Sequence, residues 1–83
     1  MIKVLFFASL REQVGCSALD WAWTEDLATL AALRQQLSAQ GPNWAEALAA
    51  DNILCALNQV QADDASVLAD GDEVAFFPPV TGG

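Results

Sequence analysis

The sequence predicts an α+β fold, a mixed sheet with a helix packed on one face. Three observations predict it. Runs rich in β-branched and aromatic residues stand near both ends, at residues 2–8 and 73–77. Between them Leu27, Leu30, Leu33 and Leu37 recur at spacings of three and four, which lines one side of a helix with leucine. Turn residues (Asn58-Gln59, Asp63-Asp64 and Asp70-Gly71-Asp72) break the remaining chain into short segments. A length of 83 residues holds one core, so residues 1–83 are expected to form a single domain, with 78–83 as a protruding C-terminal tail.

The elements follow in order. In the first strand Ile2, Val4 and Phe6 share one face and Lys3, Leu5 and Phe7 the other, because successive side chains alternate. Lys3 marks the second face as the wetter one. Leu10 to Val14 can make a helical turn that Gly15 stops. Residues 17–23 alternate, with Leu19, Trp21 and Trp23 set against Asp20 and Ala22, and read as a second strand hairpinned to the first. The leucine helix comes next, with Asp26 or Thr29 as its cap; Gly41 is expected as the left-handed C-cap and Pro42 as the stop. Asn43, with Glu46 three residues on, reads as the capping box of a short second helix to about Ala50. Residues 53–57 form a third strand, Asn58-Gln59 a turn, Val60-Gln61 a short edge strand, and 73–77 the last strand, closed by Pro78-Pro79. The first and last strands are the most apolar, and are expected side by side at the sheet centre.

Composition narrows the function. Three Lys+Arg against eleven Asp+Glu give a net charge of −8. Such a surface repels nucleic acid and anionic membrane, so neither is expected as a partner; it suits a basic protein partner or simply keeps the chain dispersed. There is no His, which removes the commonest general base and the commonest transition-metal ligand, and no metal site is expected. Cys16 and Cys55 are too few for a disulfide scaffold; Cys55 reads as a buried small hydrophobe, and unpaired thiols fit a reducing cytoplasm. The opening residues lack a signal cleavage site and no run approaches a membrane span, so a soluble cytoplasmic protein is expected. The acidic turns lack the alternation of a calcium loop and read as solvated turns.

Two features remain as candidate sites. Pro78-Pro79 stiffens the departure from the last strand, and Val80-Thr81-Gly82-Gly83 then narrows to two residues without a Cβ. That thread ends in a sterically open carboxylate; the plainer alternative is a frayed terminus. The second feature is the sheet face bearing Leu5, Phe7, Ala75 and Phe77, which is either covered by another element or left open as a protein interface.

The opening Met1-Ile2-Lys3-Val4-Leu5-Phe6-Phe7-Ala8, the Ala32-Leu33-Arg34 segment, Ala56-Leu57-Asn58 and above all residues 70–83, Asp-Gly-Asp-Glu-Val-Ala-Phe-Phe-Pro-Pro-Val-Thr-Gly-Gly, resemble the small, sulfur-carrier subunits of molybdopterin synthase. The resemblance covers essentially the whole chain and implies the ubiquitin-like β-grasp fold. It also implies a mechanism. An E1-like adenylating enzyme uses ATP to activate Gly83. A desulfurase or sulfurtransferase then supplies sulfur, leaving a thiocarboxylate. The tail inserts into the large synthase subunit and gives sulfur to cyclic pyranopterin monophosphate. On this resemblance the chain binds no cofactor of its own and is a non-catalytic subunit of a heterotetramer. Gly83 carries the sulfur, Gly82, Thr81, Val80, Pro79 and Pro78 enter the partner, and Phe7, Phe77, Leu5 and Arg11 dock it. Carriers serving thiamin or tRNA thiolation, and ubiquitin-like protein modifiers, share the fold and the terminus and stand as alternatives.

Overall fold

The computed structural model describes residues 1–49 and 53–79. The elements run β1 (Ile2–Phe6), α1 (Ser9–Val14), β2 (Ala18–Trp21), α2 (Leu30–Ser38), α3 (Pro42–Ala49), β3 (Leu54–Leu57), β4 (Val60–Ala62) and β5 (Glu73–Phe77). The five strands form one sheet in the order β2-β1-β5-β3-β4. β1 and β5 are parallel, in the register Val4 to Val74 and Phe6 to Phe76, and the other pairings are antiparallel. The two most apolar strands therefore lie side by side with β5 at the centre, in the β-grasp arrangement that the resemblance implies.

One face of the sheet carries the core. Ile2, Val4, Phe6, Val74, Phe76 and Cys55 are buried against Leu30, Leu33 and Leu37 of α2, Ala47 and Leu48 of α3, and Leu10 and Val14 of α1. Phe6 stacks on Phe76 at 5.9 Å between ring centroids and meets Trp44 edge-on at 5.4 Å. Trp21 and Trp23 pack against the same core, and the Trp21 indole N–H donates to Gln36 Oε1 at 3.1 Å, fastening the edge strand β2 to α2. Among the described residues no buried side-chain nitrogen or oxygen lacks a partner, and no helix is long and apolar enough to cross a membrane.

The local chemistry explains the boundaries. β1 stops at Phe6 because Ala8 turns to φ 54°, and α1 stops where Gly15 adopts φ 81°. Thr29, not Asp26, caps α2, its hydroxyl accepting from the Ala32 N–H at 3.3 Å. Leu27 lies before the helix, in a turn closed by its N–H on the Thr24 carbonyl, yet its side chain is fully buried with the leucine stripe. Asn58 and Gln59 take φ of 52° and 69°, the left-handed pair of a two-residue hairpin joining β3 to β4.

Two expectations need correction. Gly41 is not a left-handed cap: α2 ends at Ala39 with φ −73°, tightened by the Gln40 N–H on the Leu37 carbonyl. Asn43 is not the cap of α3 either. Pro42 is the first helical residue, where its missing N–H is no loss and its fixed φ is already helical. The Gly41 carbonyl accepts from the Ala45 N–H at 3.0 Å, and Asn43 instead donates from Nδ2 to the Gln13 carbonyl at 3.1 Å, tying α3 to α1.

Candidate functional site

The face of the sheet turned away from the helices is built by register. Ala18, Leu5, Ala75, Ala56 and Gln61 stand opposite one another across all five strands. Toward the C-terminal end of β5, Phe77 pairs with Leu54, and Phe7 follows β1 with its N–H on the Phe76 carbonyl at 3.2 Å. Toward the other end Lys3 stands between Asp20 and Glu73. The face is thus polar at one end and apolar at the end from which the chain leaves β5. Phe7 is 48% exposed, while Leu5 and Phe77 are half-buried. No described helix covers them, because all three pack on the opposite face. The apolar patch expected from the alternation of β1 and β5 is present, and β3 enlarges it with Leu54 and Ala56. The alternation of residues 53–57 carried that signal too.

Pro78 and Pro79 follow β5 directly and are half-buried. Val80, Thr81, Gly82 and Gly83, on which the expected sulfur-bearing thread falls, lie outside the described residues. Arg11 is exposed on α1, four residues beyond Phe7. The link between them is a tight turn: the Leu10 N–H donates to the Phe7 carbonyl and the Arg11 N–H to the Ala8 carbonyl, both at 3.2 Å. Ala8 occupies the first central position of that turn at φ 54°, ψ −132°. This is a glycine conformation, and a residue with a Cβ there stores on the order of 1–3 kcal/mol of strain. Nothing in the sequence pointed to it, since alanine carries no turn signature.

Several other polar groups hold turns and elements together. Asp72 Oδ2 accepts from the Ala69 N–H at 2.8 Å and its Oδ1 from Asn58 Nδ2 at 3.0 Å, while Asn58 Oδ1 accepts from the Glu73 N–H, clamping the start of β5 to the β3–β4 hairpin. Asp63 Oδ1 accepts from the Ala65 N–H, and Asp70 pairs with the Met1 amino group. These acids are turn residues, as their spacing suggested. Arg34 donates from Nε to the Leu48 carbonyl at 2.7 Å and faces Asp64 at 3.4 Å, joining α2 to the end of α3 and to the loop after β4. Cys55 is buried and donates to the Ala62 carbonyl; burial first, then Asp64, pushes its thiol up, with Arg34 opposing. A thiol held in that form is a poor nucleophile. Cys16 is half-buried against the core. Among the described residues no group of three or more Cys, Asp or Glu side chains is placed to hold a metal ion.

The open apolar end of the sheet thus lies where the chain leaves β5. The ThiS family model matches residues 4–83. The chain belongs to the ThiS family. Its resemblance to the sulfur-carrier subunits holds across the whole length: a molybdopterin synthase sulfur carrier subunit of Escherichia coli is 54% identical over 83 residues, covering 100% of both chains. Among solved structures this ThiS-family chain is similar to small archaeal modifier protein 1 of Haloferax volcanii, with a TM-score of 0.78, 27% identity and coverage of 95% and 97%. It is also similar to a chain in the complex of subunits 1 and 2 of the molybdopterin-converting factor of Helicobacter pylori, with a TM-score of 0.69, 28% identity and coverage of 99% and 97%. The ubiquitin-like β-grasp is thus the fold of this ThiS-family chain.

Proposed function

We propose that this chain is the sulfur carrier of a molybdopterin synthase, with the Gly83 carboxyl as the group that carries sulfur. The observation that carries the reading is the 54% identity, without loss of coverage on either side, to a subunit so named. In this reading an E1-like enzyme joins the Gly83 carboxylate to AMP from ATP, releasing pyrophosphate. A carboxylate resists attack because its charge is delocalised; the mixed anhydride gives the incoming sulfur a good leaving group. The outer sulfur of a persulfide on a desulfurase or sulfurtransferase attacks the acyl carbon and displaces AMP. A thiol of that donor system then cleaves the resulting acyl disulfide, becoming a disulfide with the donor and leaving a thiocarboxylate on Gly83. Gly82 and Gly83 lack the Cβ that would jam a narrow channel.

The chain's own residues then bind and orient. The Phe7, Phe77 and Leu5 patch docks the large subunit, and the complex of subunits 1 and 2 in Helicobacter pylori supports a partner of that kind. Arg11, exposed on α1 four residues beyond Phe7, is read as a contact of the same partner. Pro78 and Pro79 restrict the directions in which the tail leaves β5. With no His and a buried, raised thiol, the described residues offer no acid–base pair, so the reacting pterin's phosphate is to be met by Lys and Arg of the large subunit, and the catalytic groups belong there. A heterotetramer with two copies of each subunit brings one carrier to each site. The chain itself needs no bound cofactor, and the work is cytoplasmic.

The test is reconstitution. Thiocarboxylated protein mixed with the large subunit and cyclic pyranopterin monophosphate should yield molybdopterin, and a chain lacking Gly83 should yield none while melting at the same temperature. Failure of the loaded protein with this precursor, and success with a thiazole or tRNA thiolation system, would replace the reading. A protein-modifier role is the second reading, supported by the likeness to small archaeal modifier protein 1. It requires lysine-linked conjugates of this chain in cell extracts.

A further inference from the structure

We infer that Ala8 is a positioning residue, whose strained turn holds Phe7 ready to dock. The inference rests on the reading of Phe7 as an anchor for the large subunit. Phe7 presents its ring on the open face at 48% exposure, so packing does not order it as it orders Phe6 or Phe76. What holds it is backbone. Its N–H is fixed on the Phe76 carbonyl and its carbonyl on the Leu10 N–H, both at 3.2 Å. The chain then passes through Ala8 at φ 54°, ψ −132° and enters α1, which Leu10 and Val14 pin into the core. A strained residue persists only where its surroundings over-determine it, and these contacts do so from both sides. Glycine would take the same turn without strain, but in a broad basin that lets the backbone swing. The Cβ of alanine closes off most of the conformations neighbouring that turn, so the backbone has fewer places to swing to. The strain is the cost of stiffness, and stiffness at Phe7 lowers the ordering that docking would otherwise require.

The experiment replaces Ala8 in the full chain. Ala8→Gly should melt no lower than the wild type, because strain is relieved. In the isolated variant the backbone order parameters of Phe7, Ala8 and Ser9 should fall below their wild-type values while those of β1 do not change. The dissociation constant for the large subunit should rise about three- to tenfold, the scale of ordering one side chain. Ala8→Ser keeps a Cβ and should restore wild-type affinity. In a Phe7→Ala background the further change Ala8→Gly should cost nothing, because Ala8 acts through that ring. Order parameters unchanged in Ala8→Gly would overturn the inference, as would an affinity loss of equal size with and without the Phe7 ring. If the wild-type chain does not bind the large subunit at all, the proposed function falls, and the order parameters still decide whether Ala8 stiffens Phe7.

Discussion

Cys55 shows how one side chain's environment fixes its chemistry. Burial, with Asp64 and Asp63 near, raises its pKa above the ordinary 9.0, and Arg34 only partly offsets this. Folding therefore favours the neutral thiol. Its contribution to stability is whole below pH 9.0 and is lost as pH climbs through the raised folded value. Cys55→Ala should lack that alkaline loss, which unfolding curves of both proteins at neutral and alkaline pH would reveal; parallel pH profiles would contradict it. The buried state of Cys55 was legible in its apolar run Ile53 to Leu57. The strain at Ala8 was not, because it comes from long-range contacts on both sides of an ordinary residue. Asn43 misled for a similar reason. Asparagine caps helices, but Pro42 before it already begins α3, and the amide is drawn to the Gln13 carbonyl of another helix.

At the scale of elements the two faces of the sheet have different work. Leu33 is fully buried where α2 crosses the sheet, and Leu33→Ala should cost about 2–5 kcal/mol of stability by leaving a cavity. Phe77 sits on the opposite face, half-buried and uncovered. Phe77→Ala should shift the melting temperature little but weaken large-subunit binding by about 1–3 kcal/mol, measured by calorimetry. Equal affinities would show that the open face is not the dock. The period of two in β1 and β5 and the three-and-four spacing in α2 made both faces readable, since each pattern buries one side only. The pairing of β3 with β5 was less readable, because five short strands admit several orders and only tertiary packing selects one. That pairing is what adds Leu54 and Ala56 to the patch.

The whole molecule adds a field. With a charge of −8, approach to a basic partner is steered and approach to nucleic acid is opposed. The association rate with the large subunit should fall as salt is raised toward the range where the Debye length is roughly 8 Å, while the dissociation rate changes little; a salt-independent association rate would contradict an electrostatic role. The apolar patch, the turn at Ala8 and the proline pair all adjoin the point where the chain departs β5. The most direct measurement is the mass of the C-terminal peptide after incubation with the adenylating enzyme, ATP and a sulfur donor. The account predicts one oxygen replaced by sulfur at Gly83, and none without ATP. An unchanged peptide, or sulfur found instead on Cys16 or Cys55, would contradict it.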